Sequence, residues 1–243
     1  MLDIPEFRIT RYLASVFTPD LAIGNKLELI NLFQKTSNNR FDGELLSFPI
    51  PQDAPSEIPR VILQSKDGRW KVEISLERTN ILFLRSEDFS KPVLNLEDFS
   101  NFVTPLFSSY KDKFNLRIQR LALVTERVAK IERENPAQYI ASKYCKEEFV
   151  KKAFHEAQSF EIHSLKKYEW LGFNVNSWVR IKAAKLPKVS SVPLLLVIND
   201  INTLSQSEAP DMNFTKDDML KFYSNMPQEI TETLSLYFQR GRK

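Results

Sequence analysis

Residues 61–76 run Val-Ile-Leu-Gln-Ser-Lys-Asp-Gly-Arg-Trp-Lys-Val-Glu-Ile-Ser-Leu, and they carry the clearest structural signal in the 243-residue chain. Asp67-Gly68 suits a tight hairpin turn, whose residues need positive φ. After the turn, apolar and polar residues alternate, as in an antiparallel strand with one face in the core and the other in water. The apolar positions are Trp70, Val72, Ile74 and Leu76. A second turn at 78–80 leads into a strand at 81–84, so the stretch predicts a three-stranded meander.

The segments that flank the meander predict further strands and helices. On its N-terminal side, residues 7–17 predict an opening strand, a helix follows, and the proline-rich stretch 49–59 is expected to be a loop. On its C-terminal side, Asn95 can cap a helix. Pro105 lies inside that helix and predicts a kink or a late start. Residues 116–124 are apolar on both faces, which is typical of a central strand.

The second half of the chain follows a similar plan. Asn135-Pro136 opens a helical stretch, and strands are expected at 159–168 and 170–182. Residues 194–199 are again apolar on both faces and predict a buried strand. A final helix follows, which Pro227 is expected to break.

These elements predict an α+β fold with a mainly antiparallel sheet and helices packed on one side. Each half supplies a sheet followed by a helix, so we expect two similarly built halves. The division falls at residues 1–130, which contain the meander, and 131–243, although both halves could form one continuous domain.

The charge is unevenly distributed along the chain, which has a net charge of +3. Residues 113–188 hold 16 Lys and Arg against 8 Asp and Glu, a net +8. The flanking segments, 1–112 and 189–243, are slightly acidic. A basic middle is consistent with an anionic partner such as a nucleic acid, or with a folded surface on which the charges compensate each other.

The sequence also predicts a compartment. The N-terminus has neither the basic head nor the apolar core of a signal peptide, and no apolar run approaches the ~20 residues that span a bilayer. The single cysteine, Cys145, excludes an internal disulfide framework and is consistent with a reducing environment. We therefore expect a cytoplasmic protein.

The residues needed for common catalytic chemistries are scarce. His155 and His163 are the only histidines, so with Cys145 they make a poor set of zinc ligands. No Gly-x-Ser-x-Gly elbow is present, and the five glycines are isolated from one another, so neither a P-loop nor a dinucleotide fingerprint exists. We expect no metal, no cofactor and no catalytic residues, and this inventory argues against an enzyme.

One stretch, from Trp170 to Lys182, has the composition of a binding surface. If it forms a single strand, its odd positions from Leu171 to Ile181 form a core face interrupted only by Ser177. The residues on the other face would include two tryptophans, two amides and two cations, as protein-binding or base-stacking surfaces do. The candidate binding residues are Trp170, Asn174, Asn176, Trp178, Arg180 and Lys182. The alternative is that a helix covers this face and the tryptophan rings are part of the core.

The order of several motifs resembles a sporadically distributed prokaryotic family of about this length that has no established function. The motifs are the hairpin 65–69, the strand ending at 80–83, the long strand 116–123 and the C-terminal stretch 230–234. The resemblance implies no activity and no catalytic residues. It implies a bacterial or archaeal protein with a patchy distribution, which is associated with defence or mobile-element modules.

Three classes of function remain. The first is a non-enzymatic interaction protein that binds a protein partner or a second copy of itself, such as the regulatory or neutralising member of a defence or toxin–antitoxin module. The second is a nucleic-acid-binding protein that uses the basic middle segment. The third is an enzyme with an unrecognised carboxylate or arginine site.

Overall fold

The structure is a computed structural model that describes residues 6–19, 21, 23–48, 51, 54–85, 93–131, 135–152, 155–184 and 193–239. The strands are β1 (Arg8–Phe17), β2 (Leu45–Ser47), β3 (Val61–Gln64), β4 (Trp70–Ile74), β5 (Arg78–Leu84), β6 (Arg120–Lys130), β7 (Ile162–Trp170), β8 (Phe173–Ala184) and β9 (Leu194–Thr203). The helices are α1 (Lys26–Thr36), α2 (Leu96–Phe114), α3 (Pro136–Tyr144), α4 (Glu147–Lys152) and α5 (Lys216–Ser235).

The nine strands form one antiparallel sheet in the order β2-β3-β4-β5-β1-β6-β9-β8-β7. The α+β fold class expected from the sequence is confirmed, and β3, β4 and β5 are the meander. Alternation along β4 is also as expected, because Trp70, Val72 and Ile74 are buried while Lys71 and Glu73 are partly exposed.

The core lies between one face of the sheet and the helices α1, α2, α3 and α5. Tyr12 of β1 contacts Phe99 of α2, with ring centroids 5.1 Å apart. Farther along, Phe107 of α2 meets Tyr223 of α5 at 5.6 Å, and the Tyr223 hydroxyl donates to the backbone oxygen of Ser15. Each fully buried side chain of this kind contributes roughly 1.5–3 kcal/mol, so these rings hold the two long helices on the sheet.

The order of elements repeats. The first half consists of a strand (β1), a helix (α1), a meander (β3-β4-β5) and a long helix (α2), and the short β2 precedes the meander. In the second half the corresponding elements are β6, α3, β7-β8-β9 and α5, with the short α4 added. In both halves the first strand pairs with the last strand of the meander. The second copy of this order begins at β6, ahead of the division at residue 130, and the β1–β6 pair joins both halves in one sheet.

Two helices continue through an internal proline. The Asn95 side chain caps α2 by accepting from the Asp98 amide at 2.7 Å, so the late start suggested by Pro105 was wrong. The break expected at Pro227 was also wrong, because α5 extends to Ser235. Apolar side chains before and after Pro227 are buried against the sheet, and their burial outweighs the one backbone hydrogen bond that a proline removes.

Candidate interaction surface

The sheet has a second face, which we call the open face because no helix of the described residues packs on it. Residues directly opposite each other on neighbouring strands share a face, so the strand register defines rows across it. The Trp178 row consists of Leu13, Val124, Asp200, Trp178 and Leu165. The Arg180 row consists of Arg11, Glu126, Ile198, Arg180 and His163. The Asn176 row consists of Ser15, Ala122, Asn202, Asn176 and Lys167.

Trp170 does not lie on the open face, which corrects the sequence-based placement. Leu171 and Gly172 have φ of 50° and 80°, so they form a two-residue hairpin turn that ends β7 at Trp170 and begins β8 at Phe173. Trp170 pairs with Phe173, and both side chains face the helices. The Trp170 ring meets Phe222 of α5 edge-on at 5.9 Å, so this tryptophan packs on the core.

Trp178 lies on the open face, as expected, and it is half-buried. The Arg180 guanidinium lies 5.4 Å from the centre of its ring, a distance at which a cation is attracted to the ring face. Arg180 is also 3.9 Å from Asp200, the cross-strand neighbour of Trp178. Leu165 flanks Trp178 on the other side and is 41% exposed. The tryptophan is thus held between neighbours that leave part of its ring in solvent.

The other predicted residues of β8 share this face but differ in accessibility. Asn174 is exposed and Lys182 is half-buried, so both can reach a partner. Asn176 is only 7% exposed and donates to Asn202 at 3.5 Å. Asn202 also accepts from Arg120 at 2.6 Å. Asn176 therefore belongs to a hydrogen-bonded layer beneath the surface rather than to its contact atoms.

Sequence reasoning missed the apolar part of the surface. Leu13, Val124, Leu196 and Ile198 are half-buried on the same face as Trp178 although they come from three other strands. No local pattern could identify them as neighbours of Trp178, because strand register across the middle of the sheet places them there. Together they extend the candidate surface toward the centre of the sheet.

Most charges on the open face are arranged in opposite pairs. Arg11 and Glu126 lie 2.6 Å apart, as do Lys71 and Glu73. Lys167 meets Glu208 at 2.7 Å, and this contact together with hydrogen bonds from Ser205 lowers the pKa of Glu208 to about 2. The face is therefore a mixture of balanced charges and apolar side chains rather than a field of one sign.

The basic segment 113–188 does not form a single patch within the described residues. Its cations are spread over α2, β6, α3, α4, β7 and β8. On α4, Lys151 and Lys152 pair with glutamates one turn away. Lys113 pairs with Glu28 of α1 at 2.7 Å. Residues 132–134, 153–154 and 185–188 of this segment lie outside the described residues. The excess positive charge is thus spread over several elements and is partly compensated.

The residues weighed for catalysis do not converge. His163 is exposed on β7 with its Nε2 3.1 Å from Glu161, and His155 lies in a turn after α4. Cys145 is half-buried at the C-terminal end of α3. Across the described ranges, no group of three His, Cys, Asp or Glu side chains could hold a metal ion.

No helix in the described part of the chain is both long enough and apolar enough to cross a membrane. No protein-family model, no curated protein and no solved structure matches this chain.

Proposed function

We propose that the chain is a non-enzymatic interaction protein of the cytoplasm whose contact surface is the open face around Trp178. The observation that carries the proposal is the Trp178 row, in which a partly exposed tryptophan lies between the exposed Leu165 and Asp200, and Asp200 pairs with Arg180 of the neighbouring row. Tryptophan and arginine are the residues most enriched among the dominant contacts of protein interfaces, so this row suits the centre of one.

The composition of the surrounding surface supports a protein partner. Apolar side chains from β1, β6 and β9 lie at the middle of the open face, and ion pairs such as Arg11–Glu126 lie beside them. An apolar centre with polar surroundings is the usual arrangement of an interface. The motif order discussed above associates such a protein with bacterial or archaeal defence modules, in which it would regulate or neutralise another member.

The nucleic-acid alternative has less support. A protein that binds nucleic acid neutralises several phosphates with Lys and Arg, so its cations need to be free and adjacent. On the open face, Arg11, Lys71 and Lys167 each pair with a carboxylate. The enzyme class has the least support, because no three His, Cys, Asp or Glu side chains of the described residues could hold a metal ion, and His155, His163 and Cys145 lie on different elements.

Replacing Trp178 by alanine tests the proposal. The ring is half-buried, so we expect Trp178→Ala to lower the free energy of unfolding by only about 1–2 kcal/mol. As an interface anchor it should weaken association by ~2 kcal/mol or more. Denaturant unfolding measures the first effect. The change in association is measured by titrating the wild-type chain and the variant with the partner. This partner is the protein that copurifies with the wild-type chain and is encoded beside it.

Trp70→Ala is the matched control, because Trp70 is only 6% exposed among Phe83, Phe99 and Phe102. Truncating it should cost roughly 3–5 kcal/mol of stability. If Trp178→Ala destabilises the chain as much as Trp70→Ala and leaves association unaltered, Trp178 is a core residue and the proposal is wrong.

A further inference from the structure

The sheet ends on one side at β7, whose outer backbone groups have no backbone partner among the described residues. In a two-residue hairpin the flanking residues, here Trp170 and Phe173, form a hydrogen-bonded pair, and such pairs alternate along the strands. The amides and carbonyls of the even residues of β7 therefore point to β8. Those of His163, Leu165, Lys167 and Glu169 point outward, and no described residue forms a backbone hydrogen bond with them.

The two edges of the sheet differ in how they could accept another strand. The opposite edge, β2, is only three residues long and is followed by a proline-rich stretch. Short edges and prolines prevent strand addition. β7 is nine residues long and contains no proline, so it offers a full ladder of outward donors and acceptors.

A groove runs beside the outer edge on the helix side, between β7 and the C-terminal half of α5. It has a volume of about 370 Å³. Its lining includes Ser164, Tyr168, Glu229, Glu232, Leu236 and Tyr237. Leu236 is 74% exposed, and with Leu165 and Val179 it gives the groove an apolar part beside the polar side chains. Side chains of a strand added to β7 would enter this groove at every second position.

The groove carries unbalanced negative charge. Glu229 accepts a hydrogen bond from the Tyr168 hydroxyl, and Glu232 accepts one from Gln228. Neither carboxylate lies within ion-pair distance of a cation among the described residues. Lys166 is the cation of the lining, and its ammonium lies 4.5 Å from the centre of the Tyr168 ring. Two carboxylates against one ammonium favour an incoming Lys or Arg.

We propose that β7 binds an extended segment of a partner protein as a tenth strand, with a Lys or Arg side chain of that segment directed at Glu229 and Glu232. This mode of recognition combines backbone hydrogen bonds, which supply affinity, with a pocket for alternate side chains, which supplies specificity. The proposal rests on the proposed function, because Leu165 of this edge is also the exposed end of the Trp178 row.

A second copy of the chain fits this edge less well. Two copies could pair through β7 as antiparallel strands, with both open faces on the same side of the extended sheet. The two-fold axis is then perpendicular to the sheet, and one residue near the centre of β7 lies opposite its own copy. An axis at Lys166 or Lys167 places identical ammonium groups opposite each other, and an axis at Leu165 places Glu161 opposite Glu169. Like charges directly opposite each other destabilise a strand pair, so these three central registers disfavour self-association.

The test uses synthetic nine-residue peptides in which valine alternates with lysine, or with glutamate. We expect the lysine peptide to bind the full chain roughly tenfold more tightly than the glutamate peptide, since the groove presents two carboxylates against the single ammonium of Lys166. On binding, the amides of His163, Leu165, Lys167 and Glu169 should become protected from hydrogen exchange. The even residues of β7 should not change, because β8 already protects them.

Leu165→Pro removes one outward N–H, and an edge strand tolerates a proline at such a position. The substitution should weaken peptide binding roughly tenfold or more. Leu165→Ala is its matched control, because it truncates the side chain and keeps the N–H. Methylating alternate amide nitrogens of the peptide removes the complementary hydrogen bonds, which peptide N–H groups would donate to the outward carbonyls of β7, without altering the protein. Equal binding of the methylated peptide, or no preference for lysine, would overturn the proposal.

Two further measurements separate the possible failures. Trp178→Ala leaves the edge of β7 intact, so it should not affect peptide binding even if the open face proves to have no partner. Sedimentation of the chain alone reports self-association. A dimer that Leu165→Pro converts to a monomer would assign the edge to a second copy and overturn the proposal of a partner strand.

Discussion

At the scale of single residues, the turn between β7 and β8 decides the composition of the candidate surface. A single strand through residues 170–182 would place Trp170 on the same face as Trp178, whereas two residues of positive φ reverse the chain after Trp170. Gly172 suits such a turn, but Leu171 does not, because a Cβ atom disfavours the left-handed region. Leu171 is also 44% exposed, so its side chain gains little from burial.

Replacing Leu171 by asparagine should therefore stabilise the protein. Asn-Gly is the preferred pair for this turn, and we expect the free energy of unfolding to rise by about 0.5–1 kcal/mol. Urea unfolding measures it. Leu171→Ala is the control, because it removes the exposed side chain without favouring positive φ. A gain for alanine equal to that for asparagine would show that loss of the exposed leucine, and not relief of the turn, is the cause.

At the scale of elements, α5 forms although its sequence contains an internal proline, Pro227. Pro227 supplies no amide to the Tyr223 carbonyl one turn earlier, yet the helix continues for two more turns. Met226 and Ile230, on either side of the proline, are fully buried. Helix formation here depends on the apolar face that packs on the sheet rather than on propensity.

Replacing Pro227 by alanine should restore the missing hydrogen bond. We expect the free energy of unfolding to rise by about 1–2 kcal/mol. An interior proline destabilises the helix by more than it stabilises the protein through the lower conformational entropy of the unfolded chain. Thermal and urea unfolding both report it. Pro210→Ala, in the exposed loop before α5, is the control and should be slightly destabilising. Equal changes at both positions would mean that Pro227 imposes no local cost on the helix.

At the scale of the whole molecule, the central β1–β6 pair joins two similar halves in one sheet. β1 pairs with β6 from Arg8 to Phe17, and the two long helices contact each other above this seam. Separating the halves would expose both the strand edges and the buried rings. We infer that neither half is stable without the other.

The chain should therefore unfold in a single transition. The tryptophans report on each half separately, because Trp70 lies in the first and Trp178 in the second. In a Trp170→Phe, Trp178→Phe variant, fluorescence follows Trp70 alone, and in a Trp70→Phe, Trp170→Phe variant it follows Trp178. In each variant we expect the fluorescence midpoint to coincide with that of far-ultraviolet circular dichroism. Midpoints that differ would contradict a single cooperative unit.

The amino-acid sequence by itself determined the local features of this protein. The alternation in β4 and the helix cap at Asn95 both follow from residues a few positions apart. They could be predicted because a turn, a cap or an alternating strand depends on nearby side chains and on the chemistry of one or two residues. The scarcity of catalytic residue types was evident for the same reason.

Only the tertiary structure decided what surrounds Trp178. Leu13, Val124 and Asp200 reach its row from strands far away in the sequence, and the other tryptophan of the segment, Trp170, lies across the β7–β8 turn and packs on α5 instead. The order of the strands, the free edge at β7 and the groove beside it have the same origin. Strand partners are selected by the burial of a whole face of the sheet, and that energy is a sum over distant residues that no local pattern contains.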